Sequence, residues 1–255
     1  MSADTDDASQ VGFAYRFGWG PAGLEAVAPH CDVVVIVDVL RFTTAVSAAA
    51  EAGAVVYPYR WRDDSAATFA AQRGAVLAGR RELGEPSLSP TDLLRLEPAT
   101  RIVLPSPNGS TLSFVAAAAG VPFVLAGSFR NATATARRAA ALSHDGAIGV
   151  IAAGERWDHT GEPLRPAVED LLGAGAVLAA LDPSRAASAP RCSPEAAAAR
   201  AAFVDARPDL EATLLACASG RELARRGWDD DVRAAAQLDA TRVAAQLIDD
   251  AFVAV

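Results

Sequence analysis

The chain has 255 residues, 51% of them hydrophobic, and a formal net charge of −8. That length buries a substantial core as one domain or two lobes, while no apolar run approaches the roughly 18 residues that span a bilayer. Basic residues are dispersed through a net acidic chain, which excludes the clustered Lys/Arg face of a nucleic-acid binder.

Met1–Gln10 is polar and acidic (Asp4, Asp6, Asp7), with neither a basic n-region nor an apolar h-region. It reads as a disordered tail and not a secretion signal, so a cytoplasmic protein is expected. An apolar run at Val11–Phe17 predicts the first strand. Val33–Val37 is a continuous β-branched run, the pattern of a strand buried on both faces. It runs into Asp38-Val39-Leu40-Arg41-Phe42-Thr43-Thr44, and an alanine-rich helix is predicted over Thr43–Ala52. Further strands are predicted at Ala54–Tyr59, Ala75–Ala78, Arg101–Leu104, Pro122–Ala126 and Ala147–Ala152. The remaining helices are predicted at Asp63–Arg73, Thr111–Ala119, Asn131–Ser143 and Val168–Leu181.

This alternation predicts an α/β fold, layered α/β/α around a mostly parallel or mixed sheet. Asp182–Pro194, rich in Pro, Ala and Ser, reads as a surface linker. Residues 11–255 are therefore expected to form one α/β domain, or two lobes that part near 182–194. From Glu195 onward the chain reads as a helical C-terminal part, broken at Pro208 and Gly220. Its alanine-rich helix faces would suit a homodimer.

Cys31, Cys192 and Cys217 are widely spaced and odd in number, which argues against a disulfide framework or a Cys-x-x-Cys zinc site. His30, His144 and His159 lack the His-x-x-x-His spacing of a zinc helix. No Gly-x-Gly-x-x-Gly follows a strand, and no Gly-x-x-x-x-Gly-Lys-Ser/Thr or Gly-x-Ser-x-Gly occurs. The commonest nucleotide loops and the serine-hydrolase elbow are absent.

Ligands of open α/β sheets bind outside the carboxyl ends of the strands, and here those ends are polar. The first carries Asp38 and Arg41. The second is Pro105-Ser106-Pro107-Asn108-Gly109-Ser110-Thr111, where Asn-Gly permits a tight turn and Ser110 or Thr111 could cap the next helix. The exposed N–H groups of such a helix start suit an anion, although an ordinary turn and cap explains the residues equally well. The third is Gly127-Ser128-Phe129-Arg130-Asn131. The fourth is Ala153-Gly154-Glu155, followed by an apparent loop with Asp158 and His159 and then by Glu169-Asp170 at a helix start. Asp38 alone could be a satisfied buried carboxylate, and Glu169-Asp170 alone could be partners of the helix dipole.

Together the clusters suggest a chemistry. Asp38, Glu155, Glu169 and Asp170 are hard oxygen ligands of the kind Mg²⁺ takes alongside substrate phosphate. Arg41 and Arg130 suit phosphate or sulfonate, because a guanidinium presents paired donors. The combination points to a small anionic phosphorylated substrate.

These residues, in this order, resemble the ComB family of 2-phosphosulfolactate phosphatases. The family's Asp-Val-Leu-Arg-Ala-Thr-Thr segment is similar to Asp38–Thr44, its Thr-Asn-Gly-Thr turn to Pro107–Ser110, and its Gly-Ser-x-x-Asn junction to Gly127–Asn131. Its Ala-Gly turn and Glu-Asp-x-x-x-Ala-Gly helix start resemble Ala153-Gly154 and Glu169–Gly175. A C-terminal Ser-x-Gly-x-x-Leu pattern is similar to the Ser219–Gly227 stretch. The resemblance runs from about Val33 to the chain end.

It implies a Mg²⁺-dependent phosphatase that converts 2-phospho-3-sulfolactate and water to 3-sulfolactate and phosphate, a step of coenzyme M biosynthesis. On that reading Asp38, Arg41 and Glu169 are catalytic, and Asp38, Glu169 and Asp170 hold the metal. Asn108, Gly109, Ser110, Ser128, Arg130 and Asn131 then bind the substrate. Asp38 is either nucleophile or metal ligand. A haloacid-dehalogenase phosphatase would need a second acid where Leu40 stands. Departures from the family pattern fall at Arg80, where an acid is common (Glu82 is a nearby substitute), at Leu88 in place of an amide, and at Pro107 in place of threonine. They bear on substrate identity. The alternatives are a family member acting on another phosphorylated hydroxy acid and a non-catalytic sensor of an anionic metabolite.

Overall fold

A computed structural model describes residues 7–61, 63–144, 146–157, 163–183 and 191–255. Asp4, Asp6, Asp158, His159, residues 184–190 of the expected linker and the Glu82 side chain lie outside the described residues. The tail expected over Met1–Gln10 is corrected at residues 7–10. Asp7–Ser9 form a 3-10 turn with Ser9 buried, and the Gln10 amide pairs with both the N–H and the C=O of Phe17.

The strands are β1 (Tyr15–Trp19), β2 (Cys31–Val37), β3 (Val55–Tyr59), β4 (Val76–Leu77), β5 (Arg101–Pro105), β6 (Phe123–Gly127), β7 (Ala147–Ala152), β8 (Glu155–Arg156), β9 (Leu164–Arg165), β10 (Ala245–Ile248) and β11 (Ala251–Ala254). The helices are α1 (Gly20–Val27), α2 (Phe42–Glu51), α3 (Ser65–Gln72), α4 (Pro90–Leu93), α5 (Gly109–Ala118), α6 (Ala132–Leu142), α7 (Val168–Leu181), α8 (Pro194–Ala206), α9 (Leu210–Ala216), α10 (Ala218–Arg225) and α11 (Asp229–Ala235).

Nine strands form one mixed sheet in the order β1-β7-β2-β6-β10-β11-β3-β5-β4, and β8 and β9 make a separate small ribbon. The sheet has two parallel blocks, β1-β7-β2-β6 and β3-β5-β4. Three successive antiparallel pairings, β6–β10, β10–β11 and β11–β3, join them. The second block therefore runs opposite to the first.

Helices cover both faces, as the continuous apolar run at β2 requires. Val33, Val35 and Val37 pack with α6, α7 and α8 through Ala136, Val177 and Phe203. Val34 and Ile36 face the other way, toward Leu24 of α1 and Leu112 of α5. On this second face α2 is buried from Phe42 to Ala50 against Val56, Ile102, Ala245 and Phe252. Its alanines allow that depth, since small side chains let a helix sit close to a sheet. Among the described residues no helix is long and apolar enough to cross a membrane.

Three features depart from the sequence pattern. Helix α1 falls where no helical periodicity is visible; its backbone lies so close to β1 that a Cβ on Gly18 would be 2.9 Å from the Gly23 carbonyl oxygen, so glycines stand where a helical pattern would need side chains. Gly220 does not break a helix but lies inside α10, where a Cβ would collide with the Leu214 carbonyl. The C-terminal part is helical only to Ala235; β10 and β11 follow as a hairpin turned at Asp249, whose φ of 56° the small polar side chain tolerates.

Candidate active site

Asp38 is the first residue beyond β2 and is 6% exposed. Its carboxylate is gripped from two directions. The Phe42 N–H, at the start of α2, donates to Oδ1 at 3.2 Å. The Gly109 N–H, at the start of α5, donates to Oδ2 at 2.8 Å. The Ser106 hydroxyl lies 3.5 Å from the same oxygen. Glycine is needed at 109 because a Cβ would lie 2.3 Å from the Phe42 ring and 2.8 Å from Asp38 Oδ2. The peptide between Leu40 and Arg41 is cis.

Glu169 and Asp170 open α7 and are 3% and 4% exposed. Asp170 accepts from the Val39 N–H at 2.7 Å and from the Gly154 N–H at 2.9 Å, tying α7 to the ends of β2 and β7. Glu169 differs: its Oε2 is buried with no hydrogen-bond partner among the described residues. Asn108 donates to Glu155 at 2.9 Å, bringing a fourth acid to the group.

The charges crowd one another. Burial first, and then Glu155 and Glu169, push the Asp38 carboxyl up to about 6 against the opposing pull of its two N–H donors. Burial, then Asp38 and Glu169, hold Asp170 well above the usual carboxylate range. Burial and the neighbouring Glu169 carboxylate push the Cys217 thiol up to about 12, so this cysteine is a neutral wall of the site and no thiolate.

A cleft of about 950 Å³ is lined by Arg41, Arg80, Arg81, Leu88, Pro105 and Trp228 together with the acids Asp63, Asp64 and Glu85, and none of the four clustered acids lines it. Arg41 enters it from three residues beyond Asp38. Its guanidinium is paired with Asp231 at 2.7 Å and lies 4.8 Å from the Trp228 ring centroid. Two of the three departures from the family pattern, Arg80 and Leu88, line the same cleft. The third, Pro107, is exposed in the turn before Gly109.

Asp38, Glu169, Asp170, Asn108 and Gly109 are thus brought together, while the Arg41 guanidinium meets Asp231 and Trp228. The remaining predicted site residues are engaged inside the fold. The Ser110 hydroxyl accepts from the Tyr59 N–H and donates to the Leu104 carbonyl. Ser128 and Asn131 bind each other, and the Asn131 amide donates to the Ala126 carbonyl. Arg130, 2% exposed, is paired with Glu51 and donates to Gln237. Among the described residues these groups meet partners within the fold, except the Arg130 Nε, which is buried without one. Arg81, which lines the cleft, and Asp231, the buried acid it pairs with, belong to no motif in the sequence. Asp231 is the third of three consecutive aspartates, which read as an ordinary acidic helix start.

The fit to a divalent cation follows from the donor set. Among the described residues, no three acidic, histidine or cysteine side chains are grouped so as to hold a metal by themselves. Mg²⁺ needs fewer, since it keeps several waters and takes one or two carboxylates with substrate phosphate. The orphaned Glu169 oxygen and the crowded Asp38 carboxylate suit that role. Asp170 uses both oxygens on backbone donors and supports the others.

A family model described as 2-phosphosulpholactate phosphatase matches residues 23–249 of this chain. A protein of Thermus thermophilus named probable 2-phosphosulfolactate phosphatase is 33% identical over 151 residues. The aligned stretch covers 56% of this chain and 59% of that relative, so less than two thirds of the relative's length is spanned.

Proposed function

Because this chain belongs to the 2-phosphosulpholactate phosphatase family, we propose that it hydrolyses the phosphomonoester of a small phosphorylated hydroxy acid, and that 2-phosphosulfolactate is the first substrate to try. The products are then 3-sulfolactate and inorganic phosphate, a step of coenzyme M biosynthesis. Such esters are among the slowest to hydrolyse in water, so a catalyst must neutralise charge and fix geometry.

The observation that carries this reading is the placement of Asp38. A buried carboxylate is held by two backbone N–H groups and feels the charge of Glu169, whose Oε2 is buried with no partner among the described residues. In the proposed site Asp38 and Glu169 hold Mg²⁺. When bound, that ion offsets phosphate charge and lowers the pKa of a coordinated water. Asp170 fixes the end of β2 against α7, so that Asp38 needs no rearrangement on binding. Arg41, clamped by Asp231 and Trp228, presents its remaining donors to the substrate anion. Asn108 fixes Glu155 through its amide donor.

The test is phosphate release from 2-phosphosulfolactate and a panel of phosphorylated carboxylic acids, with Mg²⁺ and with chelator. Release is expected only with the metal, and Asp38→Asn should abolish it. Full Mg²⁺-stimulated turnover by Asp38→Asn, or no release from any compound, would overturn the proposal.

A further inference from the structure

Glu155 opens the ribbon β8–β9, and three contacts fix it beside Asp38. The Ala153 N–H donates at 2.8 Å to the carbonyl of Val37, the residue before Asp38. The Gly154 N–H donates to Asp170 at 2.9 Å. The start of α5 supplies the third contact, where Asn108 Nδ2 donates to Glu155 Oε1 at 2.9 Å. The next residue, Gly109, gives its N–H to Asp38 Oδ2 at 2.8 Å. Two consecutive residues thus hold two acids.

The four acids differ in what folding leaves free. Asp38 and Asp170 each accept a backbone N–H at both oxygens, and Glu169 is 3% exposed. Glu155 is partly exposed. Its Oε1 takes the Asn108 amide and the Arg156 N–H, and no hydrogen bond among the described residues engages its Oε2. Arg165 stands opposite it in the ribbon register, yet the guanidinium lies 6.0 Å from the Trp157 ring centroid and makes no ion pair with Glu155. A general base must reach water and afterwards release a proton. A carboxylate pinned at one oxygen, open at the other and in touch with solvent meets both needs.

We propose that Glu155 is the general base of hydrolysis, and that Asn108 is a positioning residue acting through it. The role rests on the phosphatase reading above and divides its acids, with Asp38 and Glu169 for the cation and Glu155 for water. Glu155 Oε2 takes one proton from a water molecule as the water oxygen bonds to phosphorus. The ester P–O bond breaks with its electron pair on the hydroxy-acid oxygen, which gains a proton from solvent. Glu155 then returns its proton to solvent, so that ester and water give alcohol and phosphate. The Asn108 amide holds this acid, where the family resemblance gives it substrate.

Turnover, cation binding and anion binding together test the role. Glu155→Gln keeps an acceptor for both donors and loses only the base, so kcat for the fastest ester of the panel should fall about a hundredfold or more. Its melting temperature, and the rise that Mg²⁺ adds to it, should match the wild type. Glu155→Ala should regain part of its rate as formate is added, because a small carboxylate fills the vacated space. Asn108→Ala should lower kcat by about tenfold to a hundredfold and leave calorimetric binding of inorganic phosphate unchanged. Full turnover by Glu155→Gln, no rescue by formate, or loss of the Mg²⁺ rise in Glu155→Gln, which would make Glu155 a metal ligand, overturns the role of the base. Weaker phosphate binding by Asn108→Ala overturns the positioning role and returns that amide to the substrate. A wild type that hydrolyses no ester overturns the phosphatase reading and this role with it, whereas turnover that survives Glu155→Gln overturns this role alone.

Discussion

The main-chain N–H of Gly109 meets Asp38 Oδ2 at 2.8 Å, joining the start of α5 to the end of β2 across 71 residues of sequence. The contact leaves no space for a side chain at 109, because a Cβ would strike both the Phe42 ring and the carboxylate itself. Gly109→Ala should therefore cost about 1–3 kcal/mol through overpacking, or a few degrees in Tm. Turnover should fall much further, by about a hundredfold, since Asp38 is displaced from its donor and misplacement on the order of 1 Å carries a loss of that size. A melting curve with kcat on the same preparation checks this. Equal proportional losses in both would remove the special role of the contact.

Metal-free protein should carry a pH signature of Asp38. The folded protein holds this proton up to about pH 6, against about 3.9 for an unfolded chain. Stability from this group is therefore complete below about pH 4 and is lost as pH rises through about 6. The loss is on the order of 3 kcal/mol. Asp38→Asn cannot ionise, so in chelator its stability relative to the wild type should improve from about pH 4 to pH 6 and level off above that. A relative stability of the variant that stays flat or falls over this range would contradict the burial of this charge.

Glu169 and Asp170, adjacent in sequence, should respond oppositely. Asp170→Ala leaves the buried Val39 and Gly154 N–H groups without acceptors, at about 1–3 kcal/mol each, and should lower Tm by several degrees. Glu169→Gln removes a crowded charge whose Oε2 has no partner, and should melt at or above the wild-type temperature while losing Mg²⁺-dependent phosphate release. Denaturation with and without Mg²⁺ distinguishes them: the metal should stabilise the wild type and fail to stabilise Glu169→Gln.

Arg130 is expected to matter for stability and not for substrate. Its side chain is 3% exposed and paired with Glu51 at 2.8 Å. Arg130→Met should cost about 3 kcal/mol by leaving buried polar partners unmatched, with KM for a phosphorylated acid within about twofold, a difference of under about half a kcal/mol. A rise in KM of about tenfold or more, in a variant that melts normally, would return this arginine to the substrate site.

Local patterns made most of the fold legible. The β-branched run of β2 and the alternation with alanine-rich helices carry their own periodicity, and each strand from β2 to β7 is found where that pattern puts it. The hairpin β10–β11 was hidden for the opposite reason. Ala245–Ile248 and Ala251–Ala254 are short and alanine-containing, and become strands by pairing with β6 and β3, two segments far away in sequence. Secondary structure decided by a distant partner leaves little trace in a local window.

The site divides along the same line. Asp38, Arg41, Asn108-Gly109 and Glu169-Asp170 were identifiable because they stand at strand ends and helix starts, which sequence periodicity locates. Ser128, Arg130 and Asn131 stand at an equally suggestive junction, yet their polar groups meet internal partners. Asp231 and Arg81 belong to no pattern at all, and acquire meaning only as two ends of one bridge.

Chemical identity along the chain was enough to name which groups could grip a metal or an oxyanion. It could not say which of them remain unsatisfied after folding. That depends on which hydrogen-bond partners packing delivers to each buried polar atom, and those partners come from segments up to 190 residues apart.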